Sequence, residues 1–215
     1  MSRARLVVFD LDGTLVDSTR DLAAAVNATI AQLAPGRPPL PIGVVRSYIG
    51  NGAGVLVAKS LEAAGIEARP EAVLPLFLEC YGRCLLDTTA LYPGVLETLE
   101  ALADRTLAVL TNKPGDMSRA ILAGLGVSSR FARILGGGDV PGRKPDPAGL
   151  LRLMEETGAG AGETVLVGDS AVDVRTGRAA GVRTVGVTFG LDPESLEADP
   201  PDVLIGHMRE LLGLV

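Results

Sequence analysis

Residues 6–18 read Leu6-Val7-Val8-Phe9-Asp10-Leu11-Asp12-Gly13-Thr14-Leu15-Val16-Asp17-Ser18. The apolar run Leu6–Phe9 predicts a strand buried on both faces, as in a parallel sheet. Asp10 and Asp12 follow it directly and fall at its carboxyl end, where α/β sheets bind ligands. Two crowded carboxylates are unfavourable unless a cation or a proton offsets them. The pair therefore asks for a metal, and a carboxylate held against a metal can also attack phosphorus.

Further apolar segments read as strands at Leu107–Leu110, Arg133–Leu135, Val165–Val167, Thr184–Val187 and Val203–Ile205. Between them lie helical stripes: Val95, Leu99 and Leu102; Ile121, Leu122 and Leu125 with Gly126 as a stop; Leu150, Leu151 and Met154, ended near Gly158. Strand alternating with helix predicts an α/β fold with a doubly wound parallel sheet. Residues 17–86 break the alternation. Leu22, Val26 and Ile30 form one stripe, a Pro-rich stretch from Pro35 to Pro41 interrupts it, and two or three helical segments follow, around 53–64 and 71–86. The expected organisation is a core of residues 1–15 and 87–215 with an all-helical insert, 16–86, entered just after the first strand. Such an insert emerges at the same end of the sheet as Asp10 and Asp12, and its two connections could hinge a lid.

The chain has 215 residues, 47% hydrophobic and 21% charged, which favours a packed core over disorder. A net charge of −6 opposes non-specific attraction to nucleic acid or anionic lipid. An anionic substrate must then be attracted by a local positive feature. No apolar run is long enough for a transmembrane helix, and the chain passes so soon into its first strand that no signal peptide is expected. With one His in the chain, a Cys/His zinc site is improbable, so Cys80 and Cys84 read as reduced, packed thiols of a cytoplasmic protein.

Polar groups recur at the ends of the expected strands. Thr111-Asn112 offers a hydroxyl and backbone N–H groups to phosphate oxygens. Lys144 stands in the rigid stretch Gly142-Arg143-Lys144-Pro145-Asp146-Pro147, and Gly168-Asp169-Ser170 is followed one helical turn on by Asp173. Each alone has a plain alternative, a helix N-cap or an ordinary loop residue. Their order behind Asp-Leu-Asp-Gly-Thr changes the weighing.

That combination resembles the haloacid dehalogenase superfamily over nearly the whole chain, and the helical insert looks like its type 1 cap. The resemblance implies that Asp10 attacks phosphorus and forms an aspartyl-phosphate, while Asp12 serves as acid and then base. It implies Mg²⁺ held by Asp10, the backbone carbonyl of Asp12, and Asp169, with Asp173 supporting the site. Thr111, Asn112 and Lys144 would hold the transferring phosphate. The substrate would be a small phosphorylated molecule, with no nucleic acid or membrane partner, and the protein a monomer or homodimer.

Specificity falls to the insert. Its segment Val44–Val57 carries Gly50, Gly52 and Gly54, a poor helix interior, and reads as a loop opening a helix. Gly50, Asn51 and Gly52 could present N–H groups to an anion and Arg46 could add charge; the plain alternative is a tight turn with a solvated arginine. The loop is similar to that of bacterial phosphoglycolate phosphatases, although related caps serve sugar phosphates, pyrophosphate and nucleotides. A phosphonatase would need a Schiff-base lysine, and Lys59 is the insert's sole candidate. A phosphomutase remains open, as does a non-catalytic binding protein of the same fold; a receiver domain would carry its acceptor on a different strand. His207 lies outside all the motifs and reads as a surface or helix-start residue.

Overall fold

The computed structural model describes residues 4–215. In chain order its elements are β1 (Leu6–Phe9), β2 (Val16–Asp17), α1 (Thr19–Leu33), α2 (Ile42–Arg46), α3 (Ala53–Ala63), α4 (Pro70–Arg83), β3 (Ala90–Leu91) and α5 (Val95–Ala101). There follow β4 (Thr106–Pro114), α6 (Gly115–Gly124), β5 (Arg133–Gly137), α7 (Ala148–Thr157), β6 (Thr164–Gly168), α8 (Ala171–Ala179), β7 (Arg183–Val187), α9 (Ser195–Ala198) and β8 (Val203–Ile205).

Six strands form one parallel sheet in the order β5-β4-β1-β6-β7-β8, the doubly wound arrangement expected. The chain leaves β1 toward β4 and β5, then crosses back to β6, so the order reverses beside β1. Ligands bind at such a switch point in open α/β sheets. The central strand fixes the register on both sides: Val7 lies opposite Leu107 of β4 and Val165 of β6. Its alternation serves both layers. Val7 and Phe9 pack with Leu99, Ile121 and Val167 on one face. Leu6 and Val8 pack with Leu110, Leu150 and Leu153 on the other.

Three details depart from the sequence reading. Strand β4 continues past Leu110 to Pro114, with a break in register between those two residues. Close approach makes this possible. A Cβ on Gly136 would lie 2.6 Å from the Lys113 carbonyl oxygen, so only glycine lets β5 pass the irregular end of β4. The α7 stripe is Leu150 with Leu153, both fully buried, whereas Leu151 is 47% exposed. Finally, residues 42–46 are the short helix α2, although residues from Val44 onward were expected as loop. Five residues are too few to show helical periodicity, and Pro41 at its N-cap reads equally well as loop.

Helices α1 to α4 share a core of their own, including Leu22, Val26, Ile30, Leu56, Phe77 and Tyr81. The two passages between this helical unit and the sheet pair with each other as the antiparallel ribbon β2–β3, Val16 opposite Leu91 and Asp17 opposite Ala90. Asp21 of α1 staples the ribbon. Its carboxylate accepts from the backbone N–H groups of Thr88 and Thr89 at 3.0 and 2.8 Å and from both hydroxyls. Burial would raise the Asp21 carboxyl, but these hydrogen bonds outweigh it and hold it below the usual carboxylate range. Among the described residues no helix is long and apolar enough to cross a membrane.

Candidate active site

Asp10 is the first residue beyond β1, and its N–H continues the ladder to the Val167 carbonyl at 2.9 Å. That bond seats its side chain between the ends of β4 and β6. Asp169 stands just beyond β6 and accepts from the N–H groups of Leu191 and Asp192 at 2.6 and 3.3 Å. Asp173 lies in the first turn of α8, where one oxygen accepts from the Ser170 N–H and hydroxyl at 3.2 and 2.8 Å. Both bonds run from Ser170, the residue that opens α8, and fix the carboxylate. Lys144 reaches in from the loop after β5. Its Nζ lies 2.8 Å from Asp10 Oδ1 and 2.6 Å from Asp173 Oδ1, with its side chain 2% exposed.

Asp10, Asp169 and Asp173 thus bring carboxylate oxygens within 4.8 Å of one another, all buried. Burial raises Asp10 to about 6; Lys144 opposes this and Asp173 adds to it. Asp169 is pushed up to about 8, first by burial, then by Asp173 and Asp10. Burial alone would lower Lys144, but Asp10 and Asp173 outweigh it and keep the ammonium charged. Three carboxyl groups beside one ammonium can all ionise readily only with a further cation among them, and the donors are all oxygen. Such a set suits a hard divalent cation. The cradle is also tight: a Cβ on Gly13 would lie 2.1 Å from Asp169 Oδ2.

Asp12 turns the other way. Its carboxylate accepts from the Ser18 hydroxyl at 2.5 Å and from Lys113 Nζ at 3.0 and 3.1 Å. It therefore lies outside the acidic cluster and faces a cleft that Asp10 also lines. Asp10, Thr111 and Lys113 line the floor of that cleft, and Leu22, Ile49, Leu56, Phe77 and Tyr81 line the wall from the helical unit. Thr111 is buried there, its hydroxyl accepting from the Lys113 N–H at 3.2 Å. The Asn112 side chain does not face the cleft. It donates to the carbonyls of Gly50 and Lys144, both at 3.1 Å, and so ties three segments of the site together.

The candidate residues of the insert separate. Gly50 and Gly52 line the cleft beside Asp10, while Asn51 is exposed. Arg46 donates to the Gly190 carbonyl at 2.9 Å and lines a different cavity, with Asp17, Tyr92 and Phe189. Its guanidinium joins the helical unit to the core rather than facing the cleft. Lys59 is exposed, its Nζ 5.5 Å from the Tyr48 ring centroid, and His207 accepts from the Arg209 N–H at the start of the last 3₁₀ turn.

The sequence reading gives Ser18, Tyr81 and Lys113 no role at the site. For Lys113 a signal existed. In an extended chain it shares a face with Thr111, two residues earlier. Ending the strand at Leu110 hid that relation. Tyr81 carried no signal beyond an apolar helical position.

A parallel sheet with paired carboxylates, a buried lysine and an acidic cluster at its switch point, entered by a helical insertion, defines a hydrolase of the haloacid dehalogenase class. The chain belongs to the haloacid dehalogenase-like hydrolases, whose family model matches residues 7–187. The phosphoglycolate phosphatase of Pseudomonas putida is 42% identical over 97% of this chain and 78% of the relative. Phosphoglycolate phosphatase 1 of Pseudomonas aeruginosa is 43% identical, again over 97% of this chain and 78% of its own length. The crystal structure of a predicted phosphoglycolate phosphatase from Haemophilus somnus superposes with a TM-score of 0.92 at 33% identity, covering 100% of this chain and 99% of that one. The chain is accordingly an enzyme, a phosphoric monoester hydrolase of this family.

Proposed function

We propose that the chain is a Mg²⁺-dependent 2-phosphoglycolate phosphatase that works through an aspartyl-phosphate on Asp10. The observation that carries the mechanism is the buried constellation of Asp10, Lys144, Asp169 and Asp173 at the switch point, opening on the cleft that holds Asp12. The substrate reading is supported by the names of the relatives at about 40% identity.

Asp10 attacks phosphorus in line with the ester oxygen, forming an acyl phosphate while the P–O bond to glycolate breaks. Asp12 gives its proton to the departing alkoxide, then takes a proton from the water that hydrolyses the acyl phosphate. Inorganic phosphate leaves and the Asp10 carboxylate is restored. Thr111, the backbone N–H of Asn112 and the Lys144 ammonium hold the transferring group, which is most of what phosphoryl transfer requires. Asp10, Asp169 and the Asp12 carbonyl would bind Mg²⁺, with Asp173 orienting Lys144 and the start of α8 behind them. The ion, when bound, shields the dianionic phosphate from the carboxylate that attacks it.

Residues 16–86 act as a cap over this site. Their separate core and the ribbon β2–β3 support a unit that moves as a body on two paired connections. Gly50 and Gly52 stand at the mouth of the cleft, where their loop can meet the substrate.

The test is phosphate release from 2-phosphoglycolate, sugar phosphates, nucleotides and pyrophosphate, each with Mg²⁺ and with EDTA. Metal-dependent turnover with a clear preference for 2-phosphoglycolate is expected. A preference for another ester would overturn the substrate assignment and keep the mechanism. Retention of full turnover by Asp10→Asn would remove the mechanism.

A further inference from the structure

The cleft contains a cation that the reaction above does not use. Lys113 Nζ lies 3.0 Å from Asp12 Oδ1, and its side chain is 3% exposed. Among the described residues it is the sole cationic side chain lining this cleft, because Lys144 points to the acidic cluster. The Tyr81 ring covers the ammonium, 4.6 Å from Nζ to centroid.

Tyr81 supplies a second, independent sign of a ligand. It is 1% exposed and lines the same cleft, yet among the described residues its hydroxyl has no hydrogen-bond partner. Lys113 and Ser18 lie near it, both already engaged with Asp12. A buried hydroxyl without a partner is costly, and native proteins rarely leave one so. Two donors, one on the core and one on the helical unit, therefore stand together in a cleft otherwise walled by Leu22, Ile49, Leu56 and Phe77.

We infer that Lys113 Nζ and Tyr81 Oη form the binding site for a second anionic group of the substrate, its carboxylate, set beside the phosphate on Asp10. This rests on the reading above that the substrate is a small phosphate ester with such a group, and it names the atoms that select it. An ammonium has three donors. Here Lys113 gives two of them to Asp12, whose carboxylate keeps the Ser18 hydroxyl when Lys113 turns toward a ligand. The apolar wall adds exclusion. Sugar hydroxyls placed against Leu22, Ile49 and Phe77 would find no partner, which disfavours sugar phosphates in the same cleft.

The test compares 2-phosphoglycolate with ethyl phosphate, in which a methyl group replaces the carboxylate. The ratio of their kcat/KM values is measured for wild type, Lys113→Met, Lys113→Arg and Tyr81→Phe, with circular dichroism checking that each is folded. Lys113→Met is expected to lower the ratio about 30- to 100-fold, the size of a lost charge-assisted hydrogen bond, and Tyr81→Phe about 5-fold. Lys113→Arg keeps the charge and recovers part of the ratio. Equal losses on both esters would overturn the inference, since Lys113 would then act through Asp12 alone. Calorimetric binding of 3-phosphonopropionate against propylphosphonate gives the same comparison without turnover, with the preference again expected to vanish in Lys113→Met. A wild type that favours some other ester refutes the substrate reading instead, and the phosphonate pair then decides on Lys113: a preference that survives Lys113→Met, or is absent from wild type, overturns it.

Discussion

Replacing Asp10 by Asn should stabilise the metal-free protein while abolishing its turnover. The carboxylates of Asp10, Asp169 and Asp173 crowd within 4.8 Å, and Lys144 lies among them. Burial and Asp173 lift Asp10 from 3.8 to about 6 despite Lys144. A tenfold change in proton affinity is worth about 1.4 kcal/mol, so the ionised carboxylate costs about 3 kcal/mol in the folded state. Asn removes that charge and leaves Lys144 paired with Asp173. The expected gain is about 2–3 kcal/mol, or about 4–10 °C in Tm for a chain of this length. The pH dependence has a definite sign. Asp10 binds its proton more tightly folded than unfolded, so wild type suffers no deficit below the unfolded value near 3.8. The deficit grows as pH rises through about 6 and is complete above it. Thermal melts in EDTA from about pH 4 to about pH 8 should therefore show the advantage of Asp10→Asn opening across that window. Mg²⁺ should raise wild type by more than the variant and narrow the gap. If Asp10→Asn melts at or below wild type in EDTA at the alkaline end, carboxylate repulsion does not govern this site.

Other parts of the structure make separate demands. Asp21→Ala strips the acceptor from the Thr88 and Thr89 N–H groups and should cost about 2–4 kcal/mol in urea unfolding at neutral pH. Because the Asp21 carboxyl sits below its ordinary value when folded, its contribution is present above the unfolded value and lost as pH falls through the folded one, so the gap should close in acid; a gap independent of pH would refute the staple. Arg46→Ala should raise KM for 2-phosphoglycolate and p-nitrophenyl phosphate alike, because its partner is the Gly190 carbonyl; a loss confined to the carboxylated ester would place Arg46 at the substrate. Leu150→Ala should cost about 2–5 kcal/mol and Leu151→Ala under about 1 kcal/mol, and similar losses would mean that α7 presents a different face.

The sheet was legible because its strands are apolar on both faces and bounded by turn residues, a pattern that survives without tertiary context. All six strands of the large sheet lie where Leu6–Phe9 and the five later runs placed them. The same holds for residues fixed by position at a strand end. Asp10, Lys144, Asp169 and Asp173 converge because each follows a strand of one parallel sheet, and parallel strands put those ends on one side. What escaped depends on contacts between units distant in sequence. The ribbon β2–β3 has two residues a side, too short for any period, and is held by Asp21 reaching Thr88. Lys113 gains its place from the run of β4 on to Pro114, which only the missing Cβ of Gly136 permits. Sequence proximity to a glycine loop leaves Arg46 open between an anion and solvent, and its partner is 144 residues away. Sequence thus exposes chemistry attached to the regular core, whereas the features that would discriminate between substrates arise where the helical unit meets that core. Tyr81 and Lys113 show this most clearly: one lies on α4, the other on β4, and neither carries meaning until the fold brings the ring over the ammonium.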